Sequence, residues 1–346
     1  MYRQLRMFSG GIPKMLGHSL GVGAAFVIPS LMPFRRRWRS LGVVLVVAVA
    51  LLVSAPPEMT SGWLWATLRS ASPILFVVVG ETLTQLTGVI NLGVEGQMLL
   101  GACVGFAVTV ISQNPWLGLL AGSLAGLALS SLHMLLCVGL RTNAIASGVA
   151  VWVLGSGLSA YWGRAYVGQK ISGLGAVVGE LTPTILLSLL LVPVIGVLVY
   201  GTHTGLIWRA VGESIPASRS MGIRPWWVQM QGIGIGGLLS GLGGAALSVD
   251  YTLTWAENMT AGRGLVAVGL VIVARWNPFW ACPAALLFGG SEALYLRLQS
   301  MGVEVSSYLL ATLPYLLSLA VLVVSSATAQ RGGMPQGLKG VFGSTG

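Results

Sequence analysis

The chain is poor in charge. Only 8% of its 346 residues are Asp, Glu, Lys or Arg, against roughly 25% in a soluble domain. A water-soluble fold of this length cannot cover its surface with so few charges, so the composition excludes one. Cysteine is scarce as well. Cys103, Cys137 and Cys282 all lie in apolar runs, and an odd number placed there excludes a disulfide framework. None of Lys14, Lys170 and Lys339 follows a glycine, so the sequence contains no Walker A loop, which needs Gly-Lys before Ser or Thr. If the work of this chain draws on ATP, another chain binds it. Neither a His-Glu-x-x-His zinc motif nor a Gly-x-Ser-x-Gly nucleophile elbow occurs. His18, His133 and His203 are widely separated, and His133, inside an apolar run, is expected to be a hydrogen-bonded packing residue.

What is present is apolar. Residues of the hydrophobic types make up 55% of the chain and glycine occurs 49 times; the mean hydropathy is +0.83. Glycine destabilises soluble helices but lets membrane helices approach closely. A span needs about 20 apolar residues, and ten runs qualify or nearly so: 41–55, 70–89, 97–112, 116–139, 144–162, 183–200, 227–247, 262–275, 278–295 and 306–326. The expected fold is an all-α polytopic transmembrane helix bundle of about ten spans with both termini cytoplasmic. Runs 41–55 and 262–275 are short for full lipid-facing spans.

The formal net charge of +10 reflects topology rather than nucleic acid, because the basic residues lie between the apolar runs. With the cluster Arg35, Arg36, Arg37 and Arg39 placed inside and the runs alternating, 14 of the 19 basic residues fall inside and 5 outside. No small-residue cleavage site follows that cluster, so 41–55 is read as a retained first span. The expected organisation is an N-terminal cytoplasmic or interfacial segment 1–40, a transmembrane domain 41–326 with a cytoplasmic loop 203–225, and a cytoplasmic tail 327–346. The tail is Gly-rich and expected to be disordered.

Loop 203–225 is the longest hydrophilic segment between runs. Its centre is not Gly-rich as a flexible linker would be, and Leu206–Met221 is predicted to form one or two short amphipathic helices, with Pro216 in a first turn. Such a hairpin is either a docking surface or a solvated connection. Inside the runs, Glu81 and Gln85 lie one helical turn apart on one face, and Glu292 lies in the ninth run. A mid-membrane carboxylate costs about 2.5–3.5 kcal/mol on insertion scales, so it needs a partner or a water-lined path. Asn91 and Glu95 sit where Gly88, Gly93 and Gly96 allow the backbone to turn. A broken segment there could line a cavity; the other reading is that these groups tie helices together. Gly118, Gly122 and Gly126, Gly101 with Gly105, and Gly237 with Gly241 form small-residue ridges, for packing within the chain or a dimer face. Gly232-x-Gly234-x-x-Gly237 matches a dinucleotide fingerprint only formally, since no strand precedes it.

Three blocks carry a resemblance. Gly80-Glu81 with Gly88-Val-Ile-Asn91-Leu-Gly93-Val-Glu95-Gly96 resembles the early motif of permeases from bacterial nucleoside and simple-sugar ABC importers. Arg209-Ala210-Val211-Gly212-Glu213-Ser214, with Ala217, Ser218 and Met221-Gly222-Ile223, resembles their cytoplasmic coupling loop. Glu257-Asn258-Met259-Thr260-Ala261-Gly262-Arg263-Gly264 with Arg275-Trp276-Asn277-Pro278 resembles the nucleoside branch in particular. The match covers roughly residues 70–325. It implies a second permease subunit (homologous or identical), a cytoplasmic ABC ATPase, an extracytoplasmic substrate-binding protein, a small-molecule substrate, membrane lipid, no nucleic acid, and a place in a bacterial cytoplasmic (inner) membrane. ATP and Mg would bind the ATPase, with no cofactor on this chain. Arg209–Ile223 would dock on that ATPase, and Glu81, Gln85, Asn91, Glu95, Glu257 and Asn258 would belong to the translocation path or substrate site. The chain departs from the family at Gln85-Leu86-Thr87, where an acidic-basic-small triplet is common, and at Ile215-Pro216 and Arg219. The competing classes are a proton- or sodium-driven secondary transporter, which would use paired mid-membrane carboxylates, and a membrane-embedded enzyme.

Overall fold

A computed structural model describes residues 57–301, 306–328 and 333–338. Within them the chain is helical: α1 (Pro57–Leu86), α2 (Val94–Ser112), α3 (Pro115–Met134), α4 (Ala144–Gly163), α5 (Pro183–Gly201), α6 (His203–Glu213), α7 (Ile215–Ser220), α8 (Pro225–Ala246), α9 (Arg263–Val273), α10 (Pro278–Ser300) and α11 (Ser307–Thr328). One turn of π-helix extends α3 (Leu135–Gly139) and another extends α8 (Leu247–Tyr251). Among the described residues, seven helices are long and apolar enough to cross a membrane: α1 to α5, α8 and α10. The chain is a multi-pass membrane protein.

Helix starts follow local chemistry. Asn114, Asn143 and Asn277 each accept backbone N–H bonds at the first turns of α3, α4 and α10, as N-cap residues do. Proline opens α3, α5, α7, α8 and α10, where its missing N–H costs nothing.

Helices α2 and α8 are central: 72% and 83% of their apolar windows are buried, against 28% for α4. Glycine sets this arrangement. Gly118, Gly122 and Gly126 of α3 lie against Gly105, Gly101 and Gly241. A Cβ on Gly122 would stand 2.5 Å from the carbonyl oxygen of Gly101. The ridges therefore serve packing within the chain, where backbones touch directly. The Gly232–Gly237 stretch does the same, with Gly232 against Thr87 and Gly237 against Ser130.

Nine of the expected runs coincide with helices; run 41–55 lies outside the described residues, as do segment 1–40 and residues 339–346. Several boundaries shift, the largest shift being in α1. Helix α1 begins at Pro57 instead of 70, because Trp63, Trp65 and Arg69 lower the average hydropathy without breaking the helix. It ends at Leu86 instead of 89, where Gly88 takes φ +84°, a left-handed C-terminal position that suits glycine. The tail differs more. Residues Gly333–Leu338, expected to be disordered, fold back as a short turn with Leu338 fully buried in the main core.

Candidate functional site

Two of the non-helical segments are tied to buried carboxylates. Between α1 and α2 the chain runs through 87–93 without helix, and between Tyr251 and α9 through 252–262. Helix α9 has 11 residues, about 16 Å at 1.5 Å each, or roughly half of a ~30 Å hydrocarbon core.

Glu95, in the first turn of α2, joins these two interruptions. Its side chain is buried. Oε1 accepts from Thr260 Oγ1 (2.5 Å) and Gly262 N (2.8 Å); Oε2 accepts from Gly264 N (2.7 Å) and Leu265 N (3.3 Å). The carboxylate thus takes up first-turn N–H groups of α9 and sits at the positive end of its dipole. Gly262 enters this turn at φ +87° and has no side-chain cap of its own. Glu95 supplies the missing cap from another helix.

A second network holds the 87–93 segment to α1. Glu81 is fully buried, and its Oε1 accepts from Gln85 Nε2 (3.0 Å) and from the Asn91 backbone N–H (3.2 Å). Gln85 Oε1 accepts from Trp276 Nε1 at 2.7 Å. The Asn91 side chain donates to Gln97 Oε1 (3.1 Å) and accepts from Gly93 N (3.0 Å). Three expected residues, Glu81, Gln85 and Asn91, therefore belong to one connected cluster, while Glu95 belongs to the other. Glu257 and Asn258 join neither cluster. Both are exposed on the 252–262 segment, and Asn258 has φ 56°.

Two buried acid sites complete the picture. Glu292 pairs with Arg263 and accepts from Ser70 Oγ at 2.7 Å, tying α10, α9 and α1 together. Asp250 accepts from Thr182 Oγ1 (2.6 Å) and from Thr184 Oγ1. His133 is buried with Nδ1 2.9 Å from Ser147 Oγ, the packing role expected of it. The Arg263 partnership carried no local signal, since 29 residues separate the pair. The one usable clue was that a buried Glu292 demands a cation.

Segment 203–225 forms two helices, α6 and α7. Thr202 accepts from Gly205 N (3.1 Å) and Ser214 from Ala217 N (3.3 Å), so each helix has its own cap. Val211, Gly212 and Ser218 are buried; Glu213, Ala217, Met221 and Gly222 are exposed; Arg209, Ala210, Ser214 and Ile223 are half-buried. The Arg209 guanidinium lies over the Tyr200 ring, 5.1 Å from its centroid, and Trp208 Nε1 donates to Gln231 Oε1 (3.1 Å). The inner face rests on the end of α1: Gly212 touches the Leu86 carbonyl, and a Cβ on Gly212 would stand 3.4 Å from Gly88 N. At the opposite end of α1, Trp63, Arg297, Ser300 and neighbours line a cleft of about 500 Å³.

Segment 203–225 is thus a helical hairpin seated on the end of α1 inside a multi-pass bundle. The profile of the branched-chain amino acid transport system / permease component family matches residues 63–326. A putative glucose ABC transporter permease of Haloferax volcanii is 36% identical over 301 residues, covering 77% of this chain and 92% of that protein. A guanosine ABC transporter permease of Bacillus subtilis is 28% identical over 285 residues, 74% of this chain and 89% of its own length. A nucleoside ABC transporter permease of Lactococcus lactis is 28% identical over 284 residues, 73% and 89%. No solved structure matches the chain. The chain belongs to the branched-chain amino acid transport system permease family.

Proposed function

We propose that this chain is the membrane-spanning subunit of an ABC importer for nucleosides, moved by ATP hydrolysis on a separate subunit. The observation that carries the reading is the seat of α6. Its Gly212 meets the α1 terminus with no side chain between them, so a push on the hairpin reaches Leu86–Gly88 directly. Arg209–Ile223 docks on a cytoplasmic ABC ATPase, which holds ATP and Mg. A second permease subunit faces this one, and an extracytoplasmic binding protein delivers the substrate. The bundle has about ten spans with both termini on the hairpin side. The seat of Gly333–Leu338 beside Glu213 supports that side for the C-terminal segment.

Opening of the 87–93 segment exposes Glu81, Gln85 and Asn91 along the path, Glu95 anchors the wall beside them, and Glu257 and Asn258 meet incoming substrate. Nucleosides are favoured by the Glu257–Gly264 and Arg275–Pro278 blocks and by the guanosine and nucleoside permeases among the relatives. A second reading, a hexose as cargo, is favoured by the 36% identity to the putative glucose permease. Binding assays on the cognate binding protein separate the two: a nucleoside and no hexose should bind. Hexose binding alone would overturn the nucleoside reading while leaving the importer intact.

A further inference from the structure

The segment Gly333–Leu338 returns from the end of α11 to the hairpin. Three glycine backbones meet there. A Cβ on Gly337 would lie 2.9 Å from the Gly212 carbonyl oxygen and 3.7 Å from Gly88 Cα; one on Gly88 would lie 3.3 Å from Gly212 Cα. No side chain fits between the turn after α1, helix α6 and the returning segment. The segment is fixed at both ends. Gly333 packs on the backbone carbonyl of Arg275, where α9 passes to α10, and a Cβ there would stand 3.4 Å from that oxygen. Pro335 and Leu338 are buried, Leu338 with no exposed surface. On the outer face, Gln336 N–H donates to Glu213 Oε2 at 3.3 Å.

We propose that Gly333–Leu338 is a strap within the coupling apparatus, binding α6 to the α1 turn and to the α9–α10 junction so that all three move as one body. The inference rests on the ATPase-coupling reading of α6. Three features set this segment apart from a tail resting on a surface. It touches three elements distant in sequence, it uses glycine where contact is closest, and it buries Leu338 completely. A displacement of α6 carries the α1 turn and the strap with it. The strap in turn moves the Arg275 junction, whose neighbour Trp276 holds Gln85. One push thereby reaches both interrupted segments.

The test uses the complete transporter: this chain with its partner permease, ATPase and binding protein in proteoliposomes. The variants are Gly337→Val and Leu338→Asp. Each is expected to lower ATP-driven uptake at least tenfold, while the ATPase stays bound to the vesicles and still hydrolyses ATP. Uptake within twofold of the unmodified chain in both variants would overturn the strap. A third arm carries Arg275→Cys and Gly333→Cys, whose Cβ atoms would stand 3.7 Å apart, within disulfide reach, with Cys103, Cys137 and Cys282 replaced by alanine, and is oxidised with copper phenanthroline. The cross-link is expected to form and to leave uptake within twofold. Failure to form it, or arrest of uptake once it forms, would overturn the proposal even if the first two variants misfold. Absence of ATP-driven uptake by the unmodified complex would instead overturn the coupling reading, so the two failures are distinguishable.

Discussion

Replacing Glu95 by glutamine removes one acceptor oxygen from a group that holds four donors. Its two oxygens serve Thr260 Oγ1, Gly262 N, Gly264 N and Leu265 N. An amide keeps one oxygen and turns an NH2 toward the remaining pair. Two buried donors are then left without acceptors, at about 1–3 kcal/mol each. The charge at the start of α9 is also lost, worth up to about 2 kcal/mol in a partly buried setting. The sum is roughly 2–8 kcal/mol. At about 2 cal/mol/K of unfolding entropy per residue, a chain of 346 residues shifts by about 1.4 °C per kcal/mol, so the melting midpoint should fall by roughly 3–11 °C. Thermal unfolding of purified protein in detergent, followed by tryptophan fluorescence, measures it. A midpoint for Glu95→Gln within about 1 °C of the unmodified chain would refute the cap, because among the described residues no other acceptor serves these N–H groups.

Glu81 makes the opposite prediction. Both donors that reach it use Oε1, so an amide oxygen in that place keeps both bonds. Glu81→Gln should melt within about 1 °C of the unmodified chain, whereas Glu81→Ala strands the Asn91 N–H and should melt several degrees lower. Arg263→Met leaves the buried Glu292 unpaired, a loss of about 3–5 kcal/mol; the double change Arg263→Met with Glu292→Met should recover most of it, as read by the yield of monodisperse protein. Gly122→Val drives a side chain into the Gly101 carbonyl, and size-exclusion chromatography should show aggregation or loss of the folded peak. Gly212→Pro or Glu213→Arg should abolish uptake while the binding protein still captures substrate; normal ATP-dependent uptake in both would count against the hairpin as the coupling element.

Much of the fold was legible because membrane spans announce themselves by composition alone. Even the half-length α9 was readable, since Gly262 and Pro278 bracket its apolar run. The hairpin was readable for a different reason: Leu206–Met221 has amphipathic spacing, and Pro216 suits a first turn. The interrupted segment at 88–93 showed in its glycines. What could not be read was pairing at a distance. Glu95 finds its donors 165 to 170 residues away, and nothing near Glu95 says which helix it caps. Either reading of Glu81 and Gln85 was open in the sequence, and the structure gives their partners in this conformation, Asn91 and Trp276. The fold-back of Gly333–Leu338 was hidden because glycine and proline read as loop whether or not that loop docks.

The central claim is that ATP on another subunit drives transport through this chain. The most direct measurement is uptake of radiolabelled guanosine into proteoliposomes holding this chain, its partner permease and its ATPase, with binding protein outside and ATP inside. The account predicts accumulation that requires ATP and stops when the Walker A lysine of the ATPase is replaced. Accumulation by this chain without the ATPase, or driven by an ion gradient in the absence of ATP, would contradict it.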